Sequence, residues 1–119
     1  MEVWKKAMDL IVECYGMTEC FPKKETFGLS SQLQRAAVSI AANISEGHAR
    51  QHTKEFLQSL SISYGSLAEL ETHILIAERL HYTDNQHSIK LLDKTAEIGR
   101  MLNGLRRSLE KSRNEVENA

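Results

Sequence analysis

Gly28 to Gly47 reads GLSSQLQRAAVSIAANISEG, and the spacing of its apolar residues decides the fold. At about 100° per residue, Leu29, Leu33, Ala36, Ala37, Ile40 and Ile44 fall on one face of an α-helix. Strand alternation would scatter them over both faces of a sheet. Ser30 or Ser31 can cap the open backbone N–H groups at the start, and Ser31 with Gln34 has capping-box spacing. Gly47 reads as the stop, since glycine takes the left-handed C-terminal conformation without steric cost. The spacing therefore predicts a helix over about 30–46.

Upstream, Val3, Ala7, Leu10, Ile11 and Cys14 or Tyr15 recur at helical spacing between charged residues, predicting a helix over about 2–20. Pro22 ends it, because the ring removes a donor and disfavours helix at the residue before it. The connection PKKETFG is polar, with Phe27 as its expected aromatic anchor. Downstream, Phe56, Leu57, Leu60, Tyr64, Leu67, Leu70, Ile74 and Ala77 form a wide apolar stripe over about 53–80. Ser59, Ser61, Ser63, Gly65 and Ser66 along it are small enough for a neighbouring backbone to come close. A helical glycine costs about 1 kcal/mol relative to alanine, so Gly65 calls for a packing reason. After His81 and Tyr82, Thr83 caps a last helix with Gln86 completing the box, and Leu91, Ile98, Leu102, Leu105 and Leu109 share a narrow sector. That helix is expected over about 84–112, with a frayed polar tail at 113–119.

Four helices with short connections favour an all-α, antiparallel up-down-up-down four-helix bundle, with residues 1–119 as a single domain. The alternative is a pair of helical hairpins that completes its core by dimerising. One proline and six glycines leave few places to break long helices. No apolar run approaches the roughly 20 residues of a membrane span, and Lys5, Lys6 and Asp9 interrupt the first helix, so a cytoplasmic protein without membrane contact is expected. Cys14 and Cys20 rise about 9 Å apart on one predicted helix and point to different sides, which argues against a disulfide between them.

The chain resembles the bacterial four-helix-bundle proteins encoded by intervening sequences in 23S ribosomal RNA genes, a family that also carries a ribosomal-protein label. That family is in turn similar to the accessory variability protein of diversity-generating retroelements. The resemblance rests on Trp4, Ala7, Leu10 and Tyr15, on Phe21-Pro22, Glu25 and Phe27-Gly28-Leu29, and on the run from Gln32 to Gly47. Gly65-Ser66, Leu67, Glu69-Leu70-Glu71, Met101-Leu102 and Leu105 extend it. It implies a bundle that assembles into a ring, most simply a homopentamer. It also implies contact with RNA or with a nucleic-acid-processing protein through a positive surface. This chain departs there: 15 basic against 16 acidic residues give a net charge of −1, without the basic excess usual in nucleic-acid-binding domains.

Two sets of residues stand out as sites. On the second helix, Gln32, Arg35, Ser39, Asn43 and Glu46 recur at steps of three and four beside the apolar face, with Gly47 as the helix end and Gly65 on the third helix calling for a packing reason. They read either as a polar binding groove or as a hydrogen-bonded seam against another helix or subunit. The seam is favoured, with Arg35 paired to a carboxylate such as Glu46, Glu69 or Glu71. On the last helix, Arg100, Arg107 and Lys111 share a face, flanked by Arg106 and Arg113, with Glu110 the only acid among them. This is the best nucleic-acid candidate, although basic residues near a helix end also complement its dipole.

Weaker patterns point to no chemistry. His48 and His52 have metal-ligand spacing but straddle the break at Gly47. Glu78 and His81 have the spacing of a di-iron half-motif, and such a centre needs a second copy and two more inward carboxylates. No nucleophile triad or glycine-rich phosphate loop is specified. The expectation is a non-enzymatic oligomeric interaction module without cofactor, weakly holding RNA. A protein-binding scaffold is the alternative, and a bundle metalloprotein a remote one.

Overall fold

The computed structural model describes residues 1–118 and contains four long helices, α1 (Glu2–Thr18), α2 (Leu29–Ala49), α3 (Thr53–Arg79) and α4 (Asn85–Glu117), with one 3-10 turn at Lys23–Glu25. Each packs against its chain neighbours and α4 closes back on α1, while the backbones of the diagonal pairs α1–α3 and α2–α4 stay apart and meet only through the core. This is the up-down-up-down bundle that the apolar stripes predict.

The core forms from the expected faces. Leu33, Ala37, Ile40 and Ile44 of α2 are fully buried against Leu10 and Cys14 of α1, Leu70 and Ile74 of α3, and Ile98 and Leu102 of α4. The α2–α3 seam is the tightest. A Cβ on Gly47 would sit 2.5 Å from Cβ of Ser59. Higher up, Ser63 Oγ donates to the Ile40 carbonyl at 2.9 Å, and the Ser39 and Ser66 hydroxyls bond at 2.8 Å. Small hydroxyl residues thus fill a gap too narrow for leucine and satisfy themselves across it.

Several local expectations are corrected. Gly47 does not stop α2: it is buried inside a helix that runs on to Ala49, and the left-handed residue of the turn is Gln51, with φ of 61°. Close contact with Ser59, not backbone freedom, is what requires glycine at 47. Neither Ser30 nor Ser31 caps α2. Gly28 holds the cap position, and the carboxylate of Glu25 accepts the Leu29 N–H at 3.2 Å. Asp84 rather than Thr83 caps α4, accepting the His87 N–H at 2.8 Å. α1 ends at Thr18, two residues before Cys20, because the chain turns inward to bury Phe21 against Tyr82. α4 does not fray at Ser112; it continues to Glu117, with Arg113 and Glu117 paired at 3.2 Å, and the final residue of the expected tail lies outside the described residues. Tyr64 is 46% exposed rather than core, and Phe27 is not anchored at all.

Candidate functional site

α4 is longer than its neighbours, and this sets up the basic face. Along α1, Lys94 pairs with Glu13, and Glu97 with Lys6 at 2.8 Å. That register brings the start of α1 level with about Leu105. Beyond it, α4 has α3 beside it as far as Glu110, which faces Leu57 across a shallow groove. Arg100, Arg106, Arg107, Lys111 and Arg113 are all exposed. Arg113 bonds Glu117; the other four make no ion pair among the described residues. Arg100, Arg107 and Lys111 point away from the bundle, while Arg106 turns toward Tyr64 and Leu57 of α3 and lines the groove with Glu110. The five cations are therefore a face of three with a flank of two.

The polar stripe of α2 divides in the same way. Ser39 and Asn43 lie in the seam: Asn43 donates its amide to the Ser39 carbonyl at 2.8 Å and approaches the hydroxyl at 3.0 Å. Gln32, Arg35 and Glu46 are exposed. The expected carboxylate partners of Arg35 are engaged elsewhere. Glu46 pairs with Arg50 at 2.9 Å, Glu69 with His73 at 3.3 Å, and Glu71 accepts from the Thr95 hydroxyl at 2.7 Å. Gly65 faces outward, with nothing within 4 Å of where a Cβ would stand, so no contact within the chain requires it.

The histidine patterns dissolve. His48 lies in α2 edge-on to Phe56, while His52 sits at the N-cap of α3. Glu78 accepts from Asn85 at 3.1 Å, and His81 occupies a left-handed turn position with φ of 61°. Among the described residues no three His, Cys, Asp or Glu side chains gather as metal ligands. No helix there is long and apolar enough to cross a membrane. Burial pushes the Cys14 thiol up to about 12, whereas Cys20 is exposed.

A site that the residue patterns gave no sign of lies at the other end of the bundle. There the last turns of α1, the α3–α4 turn and the first turns of α4 line an open cavity of about 450 Å³. Buried Met17 and Leu91 line it beside Gly16, Cys20 and Tyr82, with Glu13, Asp84, His87 and Lys90 adding polar and charged groups. It joins residues some seventy positions apart, which no local periodicity encodes. Tyr82 also braces the neighbouring turn: its hydroxyl donates to Glu25 at 2.8 Å. That bond and the Leu29 N–H hold the Glu25 carboxyl below the usual carboxylate range.

A family model described as 23S rRNA-intervening sequence protein matches residues 1–104. The chain is similar in fold to a protein of unknown function from the S23 ribosomal protein family of Bacteroides thetaiotaomicron. That crystal structure shares 23% identity and a TM-score of 0.78, over 87% of this chain and 97% of that one. No curated protein matches the chain significantly. The family match stops at residue 104, so Arg106, Arg107, Lys111 and Arg113 lie beyond it.

Proposed function

The chain belongs to the 23S rRNA-intervening sequence protein family, and from that premise we propose a non-enzymatic assembly module. Its copies form a ring, most simply a homopentamer, and hold RNA weakly on the outer face of α4. The observation that carries the nucleic-acid reading is the set Arg100, Arg107 and Lys111. They stand on one outward face without an ion pair among the described residues, and acids are absent between Arg100 and Glu110. Phosphates are the natural partners for such cations, because the attraction needs no shaped pocket and gains entropy by releasing counterions. One copy offers few contacts. A ring would repeat the face, and linked copies raise apparent affinity without any new contact.

Salt dependence tests this reading. Binding of a fluorescent RNA should fall steeply between low and physiological salt. Replacing Arg100, Arg107 and Lys111 together with Gln should flatten the slope by about one for each phosphate left without its cation, with the assembly intact. Unchanged binding in that variant would sink the assignment. The outer surface of α1 favours a second reading, a protein-binding scaffold. Met8, Val12 and Tyr15 lie one turn apart and are exposed, Val12 to 72%. A partner protein, not RNA, would cover them.

A further inference from the structure

Phe27 is 95% exposed, more than any other large apolar side chain among the described residues. Its turn is braced: the Gly28 N–H donates to the Glu25 carbonyl at 2.9 Å, and the Glu25 carboxylate takes both the Leu29 N–H and the Tyr82 hydroxyl. The isolated chain gains nothing from holding an aromatic ring rigidly in water. Burying such a ring removes roughly 150–250 Å² from solvent, and a pre-ordered turn keeps the entropy cost of docking low.

The same end of the bundle carries a matching hole, the cavity of about 450 Å³ between α1 and α4. Gly16 lines it, and no atom lies within 4 Å of where a Cβ would stand there. Nothing inside the chain uses this glycine, although it lies within a helix and weakens it. An incoming ring would use it. Phe27 stands at the head of α2, whose backbone stays clear of α4, so knob and hole are separate surfaces at one end of the bundle. Such a contact is head-to-tail: each copy inserts a ring into one neighbour and receives one from another. It closes into a ring of copies where the rotation allows.

We propose that Phe27 of one copy seats in the α1–α4 cavity of the next, over Gly16, Met17 and Leu91. This rests on the reading of the chain as a homo-oligomer and adds the residues that make the contact. Light scattering after size exclusion tests it with Phe27→Ala, which removes the knob, and Gly16→Phe, which fills the hole. Both positions are open in the single chain, so circular dichroism should show the parent's helix content. Each variant should weaken association at least about thirtyfold, the loss of one central aromatic anchor. For proximity, oxidised Phe27→Cys, at a concentration high enough to offset the loss of the ring, should give a disulfide between copies that Cys20→Ser abolishes.

An assembled parent with an equally assembled Phe27→Ala variant overturns the inference and leaves the assembly standing. So does an assembled Phe27→Cys variant whose cross-link is absent, confined within one chain, or indifferent to Cys20→Ser. A parent that is monomeric at tens of micromolar overturns both.

Discussion

Two glycines that look alike in the sequence have opposite roles. Gly47 touches Ser59 so closely that a methyl group would collide, so Gly47→Ala should cost about 1–3 kcal/mol in chemical denaturation. Gly65 has open space around its Cα, so Gly65→Ala should gain up to about 1 kcal/mol in a monomeric background. Equal effects of the two substitutions would contradict the packing described. The cysteines separate as sharply. With its thiol pushed up to about 12 in a fully buried site, Cys14 should resist a disulfide reagent at pH 8 until the chain unfolds, whereas Cys20 should react at once. Two fast thiols would show that the α1 face is not packed as described. Glu25 carries a pH signature. Its carboxyl is held below its ordinary 4.5 by the Leu29 N–H and the Tyr82 hydroxyl, so the stability it contributes is present above 4.5 and lost as pH falls through its lower folded value. The Leu29 amide resonance should titrate with a midpoint below 4.5; a midpoint at or above that value would mean the brace is absent in solution.

At the scale of elements, the caps show where local pattern and three-dimensional context part. Asp84→Ala should lower Tm, because the carboxylate accepts the His87 N–H, one of the free amides in the first turn of α4. Thr83→Ala should leave Tm unchanged, since Asp84 occupies the cap. The four apolar faces were legible because helical period alone places Leu33, Ile40, Leu70 and Ile98 inside. The helix ends were less so. Gly47 fits a stop signal, yet Ser59 lies across from it and the helix continues, a fact held by a residue twelve positions away. The serine seam was half legible: small residues at the right spacing announced a close approach, but not that Ser39 would pair with Ser66 and leave Arg35 outside. The spacing of Arg100, Arg107 and Lys111 was legible as a helical stripe, but not that Arg106 would line the groove beside α3 or that Arg113 would lie within a helix running past Ser112. The α1–α4 cavity was not, because it joins Met17 to Leu91 through a fold that local pattern does not describe.

At the scale of the whole molecule, shape follows from unequal helices: the bundle measures 57 × 24 × 19 Å, with α4 the longest element at 33 residues. α4 reaches beyond the residues that the family model matches, and Arg106, Arg107, Lys111 and Arg113 of the basic face lie in that stretch. A chain ending after Gly104 should keep the helical spectrum and assembly of the shared body while losing most RNA affinity. Retained affinity would relocate the contact to the body. Register fixes one further property. The start of α1 and the C-terminal half of α4 lie at the same end of the bundle, opposite the end that carries Phe27 and Tyr82. Copies arranged side by side in parallel would therefore build an object with two unlike faces, one crowned by protruding cationic helices and the other by short turns. Such an object has a direction: it can meet a nucleic acid with one face and present the other, chemically distinct, to whatever follows.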